Sequence, residues 1–209
     1  MNPGEIVDAL RTELQEKHYC HTVILYGSRA SGAASAGSDY DLAGFAAVGT
    51  TRREARVWRS AFVDLFIYPE SYLTDPVDLL KLRRGVVLVE RDGQGTALLA
   101  RLEKQFAAGP EKLPPDELEA RGVWAKKMLE RAQRGDLEGD YRRVWLLTAL
   151  LEDYFHLRGL WFLGPKTALA WLREHDPATC AGFETALKPG ARLESLTALV
   201  ALVVDSIPH

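Results

Sequence analysis

The first half of the chain alternates short apolar runs with helical patterns. Apolar runs that are rich in β-branched and aromatic side chains and that end at turn residues predict buried strands. An amphipathic pattern, with Ile6, Val7, Leu10 and Leu14 on one face, predicts an opening helix. The predicted strands cover residues 21–26, 40–48, 61–67 and 86–90, and the later helices cover 76–84 and 96–106. This mixture predicts a small mixed sheet with flanking helices.

The second half has a helical pattern throughout. It begins after a stretch rich in Ala, Gly and Pro near residues 107–115. The predicted helices cover residues 116–134, 140–157, 166–174 and 192–204. We therefore expect one domain over residues 1–109 and an α-helical domain over 110–209. The expected fold class is α+β, with a small mixed sheet and its helices followed by an α-helical bundle.

The candidate chemistry begins where the first predicted strand ends. Gly27 and Ser28 form a turn whose small residues let the backbone approach a ligand, which is the outline of a phosphate site. Asp39 and Asp41 open the next strand and point to one face, because side chains alternate along a strand. Two adjacent carboxylates repel each other unless a cation lies between them. Oxygen-only ligation of this kind suits Mg²⁺.

Asp64 is a lone carboxylate inside the apolar run 61–67. An unpaired carboxylate is costly to bury, so something must compensate its charge. If this strand lies next to the one that carries Asp39 and Asp41, a metal compensates it, and Asp64 can take a proton from an attacking hydroxyl. We therefore expect these three aspartates to be both the metal ligands and the catalytic residues.

The Gly-Ser turn, the Asp-x-Asp pair and the later lone Asp together resemble the DNA polymerase β nucleotidyltransferase superfamily. Gly27, Ser28, Asp39, Asp41 and Asp64 match the pattern of that superfamily position by position. The resemblance covers residues 21–68. It implies in-line attack of a hydroxyl on the α-phosphorus of a nucleoside triphosphate, release of pyrophosphate, and two Mg²⁺ ions held by the carboxylates. It also implies ATP as the nucleotide.

Further nucleotide-binding candidates lie around this pattern and in the helical half. The Ser28 hydroxyl and the backbone amides of the turn would bind the β or γ phosphate. Arg29 is either a phosphate ligand or a solvated residue of the first helical turn. Ser38 is either a nucleotide ligand or a turn-capping hydroxyl. Lys166, which follows a Gly-Pro turn, is either a phosphate ligand or a solvated residue.

The two-part layout is similar to that of the aminoglycoside and lincosamide nucleotidyltransferases, whose helical domain covers the cleft and shapes the acceptor site. This resemblance implies a small polar acceptor and allows a homodimer. Glu152 and Asp153 are either residues that activate the acceptor or solvated helix residues. The alternative is a nucleotidyltransferase of the toxin and antitoxin class that adenylylates or binds a partner protein. The helical half lacks the Arg and His spacing of the nuclease of that class.

Charge and composition limit the classes of partner and the cellular location that we expect. The chain has 26 basic and 29 acidic residues, a net charge of −3, which argues against a long nucleic acid and suits a cationic small molecule. Two distant cysteines fit a reducing cytosol. The first residues do not resemble a secretory signal, and the longest apolar run, 196–204, is too short to span a bilayer. A cytoplasmic protein without membrane contact is expected.

Overall fold

The computed structural model describes residues 2–35, 37–76 and 78–205. It divides into two compact units, Met1–Ala108 and Gly109–His209. The first unit contains a five-stranded mixed sheet with helices, and the second contains helices, so the α+β class predicted from the sequence is confirmed. Within the described ranges, none of the helices combines the length and the apolar character needed to cross a membrane.

The sheet of the first unit has the strand order β3-β4-β2-β1-β5. Its strands are β1 (Cys20–Tyr26), β2 (Tyr40–Ala46), β3 (Arg52–Trp58), β4 (Ala61–Pro69) and β5 (Val86–Val89). β2 and β4 are parallel and the other neighbours are antiparallel. Strand β3 was not predicted, because its polar and charged residues suit a strand at the edge of a sheet, with exposed positions, and produce no apolar run.

Three helices accompany this sheet: α1 (Pro3–Glu16), α2 (Gly27–Ala30) and α3 (Gln94–Ala108). The helix predicted over residues 76–84 is wrong. The described part of that stretch contains one 3₁₀ turn, Leu80–Leu82, and Val77 lies outside the described residues. Asp78 and Arg84 have positive φ angles of 57° and 63°, which a continuous right-handed helix does not allow.

Alternation along the strands divides the side chains between two faces of the sheet. One face packs against α1, with Leu10 and Leu14 in the same buried cluster as Leu42 and Leu65. The other face packs against α3. Its strand residues are Ile24, Tyr26, Ala43, Phe45 and Tyr68, with Phe66 beside them. Because side chains two positions apart share a face, Asp41 and Asp64 belong to this α3 face.

The second unit is a helical bundle with its own core. Its helices are α4 (Pro115–Ala132), α5 (Leu137–Leu157), α6 (Pro165–His175), α7 (Pro177–Ala186) and α8 (Leu193–Val200), which a π turn, Ala201–Asp205, extends. Helix α5 supplies the most buried residues. Helix α7 was not predicted, although Asp176 caps it by accepting a hydrogen bond from the backbone N–H of Thr179 at 3.0 Å and Pro177 occupies its first turn.

Candidate active site

Gly27 makes a close contact between the end of β1 and Asp41. Tyr26 and Asp41 are directly opposed in the antiparallel pair of β1 and β2. The chain then turns at Gly27, whose φ is +71°. A Cβ at this position would lie 2.4 Å from Oδ2 of Asp41. The position therefore requires glycine for two reasons, its backbone angle and the carboxylate packed against it.

Asp41 and Asp64 lie side by side on neighbouring strands. They are Cα partners in the parallel pair of β2 and β4, and Asp64 is buried. Burial, followed by the negative charges of Asp64 and Asp39, raises the pKa of Asp41 above its ordinary value. A cation bound near Asp41 would therefore interact favourably with its ionised carboxylate. The adjacency of the two strands, on which the sequence-based metal assignment depended, is present.

Arg29 positions the loop that leads into β2. Its Nε donates a hydrogen bond to the carbonyl of Asp39 at 3.0 Å, and its Nη2 donates to the carbonyl of Ser38. Its guanidinium also stacks on the ring of Tyr40, 3.7 Å from the centroid. These contacts connect α2 to the residues just before β2. Arg29 is therefore partly buried and hydrogen-bonded to its own loop, and phosphate binding by this residue stays a prediction.

The remaining nucleotide-binding candidates have different surroundings. The hydroxyl of Ser38 accepts a hydrogen bond from the backbone N–H of Ser35 at 2.9 Å, as the turn-capping alternative predicted. Ser28 is partly buried in the short helix α2, directly after Gly27. Lys166 is exposed in the first turn of α6, in the second unit. Nucleotide binding by these residues stays a prediction.

Arg53, which the sequence reasoning missed, is the partner of Asp64. Its Nε donates to Oδ1 and its Nη2 donates to Oδ2 of Asp64, both at 2.8 Å. This bidentate pair corrects the expectation that a metal is needed to compensate the buried carboxylate. The high content of charged residues over 52–56 could have indicated an edge strand that places Arg53 near Asp64.

Lys81 adds a second cation to this face of the sheet. Its Nζ lies 3.2 Å from the centroid of the Phe66 ring. Burial lowers the pKa of Lys81, while the negative charges of Asp64 and Asp41 act in the opposite direction. The site therefore combines two carboxylates with two cations. Sequence reasoning missed Lys81 because the stretch that carries it was predicted to be a helix.

The three predicted metal ligands do not form a closed site. Within residues 2–35, 37–76 and 78–205, one set of three His, Cys or acidic side chains has its ligand atoms within 4.8 Å of one another, and it consists of other residues. An open site is a better fit for Asp39, Asp41 and Asp64, because Mg²⁺ commonly takes one or two carboxylates and completes its shell with water and phosphate. Asp41 fits such a site directly. Asp64 fits it once Arg53 has moved away.

We expect Arg53→Gln to strengthen the binding of divalent cations to the nucleotide-free protein. The substitution releases both oxygens of Asp64 and removes a positive charge, so the affinity for Mn²⁺ should rise severalfold. Arg101→Gln is the control, since it removes an equal charge from an exposed position of α3. Calorimetric titration with Mn²⁺ measures the difference. Equal affinities for the two variants would show that Arg53 does not compete with a cation.

Glu152 and Asp153, the acidic candidates of the helical unit, differ in exposure. Asp153 is buried and accepts a hydrogen bond from Nη1 of Arg121 at 2.7 Å. Burial raises the pKa of Asp153, although Arg121 acts in the opposite direction. The side chain of Glu152 is half exposed, with its Oε1 3.8 Å from Nδ1 of His156. Asp153 is thus an ion-paired residue of the bundle and not a solvated one.

Comparison with known proteins adds little to this geometry. No family model and no curated protein matches the chain. A solved structure of a nucleotidyltransferase-like protein from Exiguobacterium sibiricum 255-15 aligns with 97% of this chain and 74% of its own chain, at 17% identity and a TM-score of 0.41. A TM-score of this size describes a loose similarity. The function must therefore be argued from the residues of the site.

Proposed function

We propose that the protein is a metal-dependent nucleotidyltransferase that transfers AMP from ATP to a hydroxyl of a small polar acceptor. The observation that supports this most is the placement of Asp41 beside Asp64 on adjacent parallel strands, with the Gly27 turn packed against the Asp41 carboxylate. A Gly-Ser turn and carboxylates on one face of a sheet are what a triphosphate and its cations require. An aminoglycoside-like antibiotic is the acceptor that we propose within this class.

Each residue of the site has a role in this proposal. Asp39 and Asp41 would hold Mg²⁺, and the Ser28 hydroxyl with the amides of its turn would bind the terminal phosphates. When bound, Mg²⁺ neutralises the charge of the triphosphate and stabilises the leaving pyrophosphate. Asp64 would help to hold a second ion and would accept the proton of the acceptor hydroxyl. The acceptor oxygen bonds to the α-phosphorus as the bond to the bridging oxygen of pyrophosphate breaks.

Arg53 imposes a condition on this mechanism. Its bidentate pair with Asp64 engages both carboxylate oxygens, so an acceptor hydroxyl or a cation at Asp64 competes with Arg53 for the same carboxylate. The Arg53 side chain is 57% exposed, which leaves it room to turn away from Asp64. A guanidinium released beside a triphosphate is suited to contact phosphate oxygens. The proposed reaction thus needs Arg53 to exchange a carboxylate partner for a phosphate partner.

Residues 110–209 are proposed to bind the acceptor, in keeping with the layout of the antibiotic enzymes. The net charge of −3 favours a cationic acceptor over a nucleic acid. Lys166 is proposed to meet a phosphate oxygen.

A second candidate function is the modification or binding of a partner protein. The observation that favours it is a set of large apolar side chains on α4 and α5 that are exposed to solvent. They are Val123 (59% exposed), Leu137 (88%), Tyr141 (65%), Val144 (64%) and Trp145 (43%). Exposed apolar and aromatic groups of this kind are common where proteins meet. In this function the acceptor hydroxyl belongs to the partner protein.

Pyrophosphate release tests the two candidates against each other. The protein is incubated with Mg²⁺ and each of the four common nucleoside triphosphates, with a panel of aminoglycosides and lincosamides or with a protein lysate. The proposed function predicts release that depends on a small acceptor and that disappears in Asp39→Asn. Transfer of the nucleotide only to protein in the lysate would support the second candidate. Absence of transfer to either class of acceptor would contradict nucleotidyl transfer in both candidates.

A further inference from the structure

Glu13, His18 and Glu54 form a cluster of ligand atoms on the face of the sheet opposite to Asp41 and Asp64. Glu13 belongs to α1, His18 follows that helix, and Glu54 lies on β3 as the Cα partner of Leu65. Leu65 belongs to the α1 face of the sheet. The ligand atoms of the three side chains lie within 4.8 Å of one another. This cluster is the set of three potential metal ligands found within residues 2–35, 37–76 and 78–205. It shares no residue with the proposed active site.

His18 is the most informative member of the cluster. It is 5% exposed, and its Nε2 is buried without a hydrogen-bond partner. A buried polar atom without a partner costs free energy, so a partner for this nitrogen would stabilise the fold. The nearest acidic atom is Oε1 of Glu54, at 3.5 Å.

The separation of His18 and Glu54 fits two ligands of one metal ion. A tetrahedral zinc site has metal–ligand distances of about 2.1 Å to nitrogen and oxygen, which places its ligand atoms about 3.4 Å apart. The observed separation of Nε2 and Oε1 is 3.5 Å. It is longer than the usual hydrogen bond and close to the ligand–ligand distance.

Arg56 binds one oxygen of the Glu13 carboxylate and one oxygen of the Glu54 carboxylate, and it leaves the other oxygen of each without a contact to Arg56. Its Nη1 donates to Oε2 of Glu54 at 3.2 Å, and its Nη2 donates to Oε2 of Glu13. The Oε1 atom of Glu54 faces His18, and Oε1 of Glu13 makes a 3.5 Å contact with the ammonium of Lys17. Outer residues that hold carboxylates in this way are a common feature of metal sites.

Lys17 occupies the position of a cation between the two carboxylates. Its Nζ lies 3.5 Å from Oε1 of Glu13 and 3.2 Å from Oε2 of Glu54, and its side chain is 58% exposed. An exposed lysine in half-exposed ion pairs is held weakly and can turn into solvent. A divalent ion would replace one positive charge with two and would also supply a partner for the buried nitrogen of His18.

We propose that Glu13, His18 and Glu54 bind a divalent transition metal ion of the zinc and cobalt class. One imidazole nitrogen and two carboxylate oxygens select such an ion over Mg²⁺ or Ca²⁺, which prefer oxygen ligands alone. The ion joins the end of α1 to strand β3 and displaces Lys17. Its role is structural, because the site lies on the opposite face of the sheet from the proposed reaction.

Equilibrium dialysis with Co²⁺ in millimolar Mg²⁺ tests this site, because the excess Mg²⁺ occupies oxygen-only sites. The wild-type protein should retain one Co²⁺ per chain. His18→Asn and Glu13→Gln should each weaken the binding at least about tenfold, as loss of a ligand from a three-ligand site implies. His21→Asn is the matched control. That histidine faces one carboxylate, Glu70, at 3.3 Å, and its variant should bind Co²⁺ as the wild type does.

Lys17→Met gives the sharper test, because the proposal predicts a gain. Removing the competing ammonium should tighten Co²⁺ binding about threefold to tenfold, the range expected from two half-exposed ion pairs. Lys17 is exposed, so this variant should fold even if a change at the buried His18 does not. Failure of the wild type to retain Co²⁺, or affinities that Lys17→Met and Glu13→Gln leave unchanged, would overturn the proposal.

Discussion

Asp41→Asn should abolish nucleotidyl transfer without loss of the fold. Asp41 is the carboxylate that contacts the Gly27 turn and lies beside Asp64. Loss of a metal ligand removes several kcal/mol of stabilisation from the transition state, so kcat should fall at least about 10³-fold. The measurement is pyrophosphate release with saturating Mg²⁺ and ATP. Near-normal turnover would contradict the assignment of the metal site.

The stability of the Asp41→Asn variant provides an independent check. The pKa of Asp41 is raised in the folded protein, so the folded state binds this proton more tightly than the unfolded state. Ionised Asp41 therefore destabilises the fold at neutral pH, and this cost disappears as the pH falls through the raised pKa. Asn carries no charge, so the Tm at neutral pH should stay the same or rise. Asp8→Asn, at an exposed position of α1, is the control.

Gly27→Ala should remove activity that Gly32→Ala retains. Both glycines have positive φ angles, +71° and +73°, so an alanine at either position costs about 1–2 kcal/mol of backbone strain. The added Cβ meets Oδ2 of Asp41 at 2.4 Å at position 27, and it has no atom within 4 Å at position 32. Only the first substitution therefore displaces the carboxylate.

The comparison of these two variants isolates the contact with Asp41 from the strain of the turn. A shift of about 1 Å in a catalytic group can cost about 10²-fold in rate, so we expect at least that loss for Gly27→Ala. Both variants should show a similar decrease in Tm from the backbone strain, with a further decrease for Gly27→Ala. Thermal denaturation and pyrophosphate release are measured on the same samples. Equal activities would show that the position of Asp41 does not depend on Gly27.

The sequence contained enough information to predict two strands of the candidate site, β1 and β4. The runs that became β1 and β4 are apolar, rich in β-branched and aromatic residues, and bounded by turn residues, so local pattern alone was sufficient. Spacing also placed Asp41 in β2 and Asp39 next to it, where the structure has Asp39 just before the strand. The common face of Asp41 and Asp64 followed from the alternation of side chains, once the two strands were assumed to be neighbours.

The partners of those carboxylates could not be read from local pattern. Arg53 lies on an edge strand with little apolar character, and its pairing with Asp64 depends on the register of β3 against β4. Lys81 lies in a stretch whose residue pattern is typical of a helix. The positive φ angles of Asp78 and Arg84, on either side of it, limit this stretch to a single 3₁₀ turn. Tertiary contacts override local propensity in both places.

The sequence by itself determined the fold class, the Gly-Ser turn and the face of the sheet that carries the aspartates, because these depend on periodicity and on residues close together along the chain. Only the tertiary structure decided that Arg53 neutralises Asp64, that Arg29 holds the loop before β2, and that Glu13, His18 and Glu54 meet. Each of these contacts joins residues from different elements. Their geometry depends on strand register and helix packing, which no single stretch of sequence specifies.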